Sequence, residues 1–129
     1  MLAPLVRDMM AAELPVLEAN GLSMWGYSVL VALDRSAIRT QAALAEAIGA
    51  DKSRIIGTLD ELQKAGLIER TPDPDDRRVR LLSITPEGRR VRRAVRRGIQ
   101  IKEMQVLESL PVPDRKTFIR LLQQLHASR

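Results

Sequence analysis

The stretch TQAALAEAIGADKSRIIGTLDELQKAGLIERTPDPDDRRVRLLSI, residues 40–84, constrains the fold most, because its apolar period switches from helical to alternating within one continuous run. Thr40 is a capping residue in front of a short helical segment, and Gly49 stops that segment. Asp51 then caps a second helix in which Ile55, Leu59 and Leu62 fall at i, i+4 and i+7, a single buried stripe. Gly66 ends it. A short helix, a tight glycine turn and a second helix make a helix-turn-helix. The two strand-like runs LIER and RVRLLSI flank TPDPDD, a cluster of turn formers, which predicts a hairpin. Leu82 and Ile84 then share one face, and Leu81 and Ser83 the other, because strand side chains alternate. The expected fold class is mainly α with a small β-hairpin wing: a winged helix-turn-helix flanked by helices at both ends.

The flanking sequence reads as helix throughout. Leu5, Met9, Ala12 and Val16 lie at helical spacing in a first helix over roughly residues 4–18, where Pro15 predicts a kink or a local break. Ser23 caps a second helix from about Met24 to Leu33, and a short extended piece follows around Ile38 and Arg39. Thr85-Pro86-Glu87 opens a fifth helix, with proline at the first helical position, expected to run to about Leu110 and to be broken by Pro111 and Pro113. DRKTFIRLLQQLH forms a sixth, with Phe118, Leu121, Leu122 and Leu125 on one side.

The fifth helix changes character along its length. Arg89, Arg90, Arg92, Arg93, Arg96 and Arg97 crowd its first half around a narrow stripe of Val91, Ala94, Val95 and Gly98. Some of these arginines are expected to pair with Glu61, Glu69 or Glu103. Beyond Ile99 the stripe widens through Ile101, Met104, Val106, Leu107 and Leu110, as a helix does when it enters a subunit interface.

Composition narrows the function. The 129 residues suit one domain with helical extensions, and a formal charge of +5 favours an anionic partner, although solubility alone explains such a charge equally well. With Trp25, Tyr27 and Phe118 the only aromatics, no stacking platform for single-stranded nucleic acid is available. There is no cysteine, which excludes disulfides, thiolate-bound zinc and thiol redox chemistry, and the lone His126 sits near the C-terminus as a solvated helix-end residue. No Ser-His-acid set, metal-ligand cluster or phosphate-binding glycine loop is present, so neither an enzyme nor a cofactor is expected. The N-terminal segment is interrupted by Arg7, Asp8 and Glu13 and lacks a signal-peptide pattern, giving a cytoplasmic reading.

The order of elements, with LAEAIGADKSRIIGTLDELQKAGLIER and the motif DPDDRR…LLSITPEGR, resembles the MarR family of bacterial transcription regulators over nearly the whole chain. The resemblance implies a homodimer on double-stranded DNA. It assigns dimerisation to residues 1–22 and 99–129 and DNA binding to residues 23–98, with a recognition helix at about 51–65 in the major groove and a wing at about 67–84 reaching the minor groove. Most such proteins repress transcription, and many release DNA when a small, often aromatic, anionic ligand binds near the first, second and fifth helices.

On that basis Lys52, Ser53, Arg54, Ile56 and Gly57 on the recognition helix and Arg77, Arg78 and Arg80 on the wing are the DNA-binding candidates. The family often carries polar or basic residues where Ile56 and Gly57 stand here. Asp76, two residues before Arg78, is expected to pair with it and hold the long side chain in one rotamer. Met9, Trp25 and Tyr27 are candidates for a ligand pocket, although core packing explains the two aromatics as well. Leu5, Met104, Leu107, Phe118, Leu121 and Leu125 are the dimer-interface candidates. A solvated helix face is the plain alternative for the recognition helix. A winged helix used as a protein-interaction module is the competing function, and attachment of the arginine helix to a membrane surface a weaker one.

Overall fold

In a computed structural model that describes residues 2–36 and 39–128, six helices and three short strands follow the order α1 (Leu2–Ala19), α2 (Met24–Arg35), β1 (Arg39–Thr40), α3 (Gln41–Ile48), α4 (Lys52–Lys64), β2 (Ile68–Pro72), β3 (Arg80–Ile84), α5 (Pro86–Leu107) and α6 (Val112–Ala127). Ser23, Thr40 and Thr85 cap α2, α3 and α5, each hydroxyl accepting the backbone N–H three residues on. Asp51 takes the cap position of α4, but its carboxylate makes no capping hydrogen bond.

The core gathers Leu17, Leu22, Val29, Leu30 and Leu33 against Leu44, Ile55, Leu59 and Leu62, closed by Ile68, Leu82, Ile84, Val91 and Val95. Every buried side chain in it is apolar. It therefore holds the helix-turn-helix, the root of the hairpin and the first half of α5 as one unit. β2 and β3 pair antiparallel, with Ile68 opposite Ile84 and Arg70 opposite Leu82, and the expected alternation holds: Leu82 and Ile84 are buried, Leu81 and Ser83 half-exposed. The extended piece before α3 adds β1 to the other side of β3, through Arg39 opposite Leu82 and Thr40 opposite Leu81, so the sheet has the order β1-β3-β2. Ile38 lies outside the described residues.

Two close approaches bind α5 to this unit. Thr85 Oγ1 donates to Gly66 O at 2.7 Å while accepting from Gly88 N–H, and a Cβ on Gly88 would collide with the Leu67 carbonyl. Ten residues on, a Cβ on Gly98 would run into Val16 Cγ1, so glycine is what lets α1 lie directly on α5.

Several expectations about helix ends are corrected. Pro15 does not break α1, which is helical from Leu2 to Ala19. It forgoes one intrahelical hydrogen bond, and the packing of Val16 and Leu17 on the core holds the helix across the gap. α2 extends past Leu33 to Arg35. α5 ends at Leu107 rather than Leu110, because Leu110 N–H turns back to Leu107 O and Arg115 Nε donates to Leu110 O at 2.7 Å. Pro113 does not precede α6 but lies in its first turn, where a missing N–H costs nothing, so α6 starts at Val112.

The ends of the chain remain apolar on the outside. Among the described residues, thirteen of the fourteen large exposed hydrophobics lie on α1, the second half of α5 or α6; the other is Ile56. No residue of α6 is buried. Among the described residues no single helix is long and apolar enough to cross a membrane.

Candidate nucleic-acid interface

The turn at Gly49, left-handed at φ +70°, sends its N–H back to Ala45 O and Glu46 O and aims the start of α4 away from the core. At 100° per residue α4 then divides into four sides. Ile55, Leu59 and Leu62 face inward, and Ser53, Gly57 and Asp60 face outward and are exposed. Lys52 and Ile56 lie on the flank toward the wing, Arg54 and Thr58 on the flank toward α2. A Cβ on Gly57 would meet nothing within 4 Å, so this glycine has no packing role inside the protein.

Between α4 and the wing runs an open groove of about 380 Å³. Lys52, Ile55 and Ile56 form one wall, Arg78, Val79 and Arg80 the other, and Thr40, Gln41 and Ala42 at the start of α3 the floor. Four of the predicted residues, Lys52, Ile56, Arg78 and Arg80, thus come together. Thr40 to Ala42 were missed by the sequence reading; the signal was the Thr40 cap, which marks where the first N–H groups of α3 emerge.

The acids of the wing serve its own backbone. Asp73 Oδ1 accepts from Asp75 N–H at 2.9 Å, and Asp73 N–H donates to Val79 O at 2.9 Å. Asp76 Oδ1 accepts from Arg78 N–H at 3.1 Å and from Arg78 Nε at 3.2 Å. The expected Asp76–Arg78 pair is therefore formed, with the arginine side chain 91% exposed. Arg77 is exposed beside it.

Other arginines hold the frame. Arg70 shares the inner face of the hairpin with Ile68 and reaches α4, Nε donating to Gln63 Oε1 at 2.6 Å and Nη2 to Asp60 Oδ1 at 2.5 Å. This fork neutralises Asp60, an acid on the outward side of α4 that would repel an anion, and it ties the wing root to that helix. In the arginine run of α5 the partners are not Glu61, Glu69 or Glu103. Arg90 pairs with Glu87 one turn earlier, and Arg89 and Arg92 converge on Asp34 of α2 at 3.4 and 3.1 Å. The reason is reach: Asp34 stands at the end of α2 against α5, whereas Glu61 and Glu69 point outward from α4 and the hairpin. The hydrogen bond from Arg90 holds the Glu87 carboxyl below the usual carboxylate range.

Trp25 and Tyr27 are set apart. Trp25 lies beside α4, its ring 6.0 Å from the Arg54 guanidinium carbon, in a small cleft with Val29, Ile48 and Ile55. Tyr27 lines a different cleft, with Met24, Val31 and Arg35. Burial raises the Tyr27 pKa, while Arg92 and Arg96 pull it down and Glu13 and Glu103 add to the rise. Glu13 itself is raised by burial and by Glu103. Met9 is half-buried on α1. Of the interface candidates, Leu5, Met104, Leu121 and Leu125 are exposed, and Leu107 and Phe118 half-buried. Among the described residues no group of three or more His, Cys, Asp or Glu could hold a metal ion.

A helix-turn-helix with a three-stranded hairpin sheet beside it, and a basic groove between recognition helix and wing, defines a winged helix-turn-helix protein. The chain belongs to the MarR family, whose family model matches residues 20–79. A MarR-family transcriptional regulator from Rhodococcus sp. RHA1 is 31% identical, with 96% of this chain and 88% of that one covered and a TM-score of 0.78. CouR from Rhodococcus jostii RHA1, solved bound to p-coumaroyl-CoA, is 33% identical over 96% of this chain and 87% of that one, with a TM-score of 0.74. The repressor CouR bound to a 23-mer DNA duplex aligns at 25% identity over 97% of this chain and 89% of that one, with a TM-score of 0.81. A putative transcriptional regulatory protein for the hcr operon of Thauera aromatica is 29% identical over 107 residues, which cover 83% of this chain and 64% of that relative's length. These relatives are transcription regulators, not enzymes.

Proposed function

We propose that the protein is a cytoplasmic, homodimeric transcription regulator that binds double-stranded DNA and represses until a small effector releases it. The observation that carries this reading is the groove in which Lys52 and Ile56 of α4 face Arg78 and Arg80 of the wing. α4 enters the major groove, presenting Lys52, Ser53, Arg54, Ile56 and Gly57. The open space at Gly57 lets the backbone approach the bases, and Ile56 offers an apolar contact to a thymine methyl. Arg78 reaches the minor groove, whose narrow stretches concentrate negative potential, while Arg77 and Arg80 meet phosphates. The DNA-bound relative CouR supports this reading.

Residues 1–22 and 99–129 form the dimer region and residues 23–98 the DNA-binding region. An α6 with no buried residue, together with the exposed Met104 and Leu5, is too much apolar surface for a protomer to leave in water. Two-fold pairing makes the operator a pseudo-palindrome. The effector reading rests on the cleft that Tyr27 and Arg35 line and on CouR, solved bound to p-coumaroyl-CoA. A small aromatic anion in the cleft of Tyr27 and Arg35 fits this reading, whereas Trp25 lies in a separate cleft beside α4 and Met9 lines neither, so the three predicted pocket residues do not form one site.

The deciding experiment is footprinting on the intergenic DNA beside the gene, with affinity measured against salt. Protection of two symmetric half-sites, with affinity falling steeply as salt rises, is expected. Equal affinity for every duplex, or no salt dependence, would leave a protein-interaction module as the better description.

A further inference from the structure

Arg54 and Trp25 are not accounted for by the groove between α4 and the wing. Arg54 is the third residue of α4 and points to the opposite flank, where its guanidinium carbon stands 6.0 Å from the centre of the Trp25 ring. Trp25 is the second residue of α2, half-buried, and its inner edge shares a cleft with Val29, Ile48 and Ile55 of the core. The ring is thus anchored by packing while its face meets the arginine. No carboxylate pairs with Arg54 among the described residues, in contrast to Arg70, Arg78, Arg89, Arg90 and Arg92. An arginine is held here by an aromatic face and not by an acid, which leaves its full charge and its N–H donors directed outward.

We propose that Trp25 is a positioning residue for Arg54, holding its guanidinium on the α2 flank of the recognition helix to take a DNA phosphate on the strand opposite the wing. The inference rests on the DNA-binding reading. All five N–H donors of a guanidinium held over a ring remain free for a phosphate, whereas an acid partner would occupy two of them and cancel the charge. A long flexible side chain fixed before contact also loses less rotamer freedom on binding. α4 is then flanked by arginine on both sides: Arg78 and Arg80 from the wing, and Arg54 braced by α2.

The test uses the full-length protein and a mixed-sequence duplex of about 30 base pairs, long enough for two half-sites one helical turn apart. Trp25 is the only tryptophan, so the emission comes from this position alone, and the Arg54→Ala variant isolates the part due to the arginine. Duplex binding is expected to change that emission in the wild type and much less in Arg54→Ala. Arg54→Ala should also make the slope of log affinity against log salt shallower by about 0.9 per protomer, the loss of one phosphate contact. Trp25→Leu should weaken binding about two- to fivefold, the size of an exposed cation–π contact, and Trp25→Phe should restore most of it. Combined with Arg54→Ala, Trp25→Leu should cost almost nothing further. Trp25→Leu losses that persist undiminished in the Arg54→Ala background, or an unchanged salt slope in Arg54→Ala, would overturn the proposal while leaving DNA binding intact. Absence of salt-dependent duplex binding by the wild type would remove the underlying reading, and this inference with it.

Discussion

Asp76 Oδ1 accepts two hydrogen bonds from one residue, from the backbone N–H of Arg78 at 3.1 Å and from its Nε at 3.2 Å. One carboxylate oxygen thus sets both the backbone of the wing tip and the direction of the arginine that leaves it. Arg78→Ala is expected to weaken operator binding by about 1–3 kcal/mol, and Asp76→Ala to weaken it as well. The double mutant should lose less than the sum, because the acid acts through its partner. Thermal stability should hardly move, since an exposed pair contributes at most about 1 kcal/mol. Operator titrations of the four proteins at fixed salt measure the coupling. Tighter binding by Asp76→Ala would mean that the acid only repels DNA.

Arg77 differs from Arg78 in having no partner in the turn's hydrogen bonds. Arg77→Ala should weaken specific and non-specific duplexes alike. If each protomer neutralises about four phosphates, the wild-type slope of log affinity against log salt should be about −7, and Arg77→Ala should bring it closer to zero by about two for the dimer.

α6 offers a clean way to test assembly, because none of its residues is buried within the protomer. Replacing the exposed Leu121 and Leu125 by Glu should give a monomer, or a protein whose melting temperature falls on dilution, as read by light scattering and thermal melts. A wild-type protein that stays monomeric and folded at micromolar concentration would rule out the dimer.

The glycines give opposite expectations. Gly98→Ala puts a methyl into Val16 and should cost about 1–3 kcal/mol by overpacking, with Val16→Ala restoring part of it. Gly57→Ala meets open space and should stabilise α4 by up to about 1 kcal/mol. It should nevertheless weaken operator binding if the helix backbone approaches DNA there. Denaturant unfolding and operator titration on the same variants separate the two effects.

Glu13 carries a pH dependence. Burial and the neighbouring Glu103 raise its folded pKa above 4.5, so between that value and the raised one the folded state holds more protons than the unfolded. Its contribution favours folding most below pH 4.5 and is lost as pH rises through the folded pKa. Glu13→Gln should therefore melt higher than the wild type at neutral pH, with the gain shrinking as the pH falls toward 4.5.

The elements themselves were legible in the sequence because their causes are local. Caps at Ser23 and Thr40, the helix start at Thr85-Pro86-Glu87, stops at Gly49 and Gly66 and the alternation around Leu82 each act over a few residues, and all were read in place. The Asp76–Arg78 pair was legible for the same reason, being two residues apart. What the tertiary structure decided are choices among distant partners of like chemistry. Nothing in the order of residues says that Arg89 and Arg92 meet Asp34 and not Glu61, Glu69 or Glu103, or that Trp25 lies against Arg54 while Tyr27 lines a separate cleft with Met24, Val31 and Arg35. Even Pro15, a local breaker by its chemistry, stays helical because Val16 and Leu17 are packed against the core. Local propensities amount to at most a few kcal/mol, and burial of the shared core outweighs them wherever the two conflict.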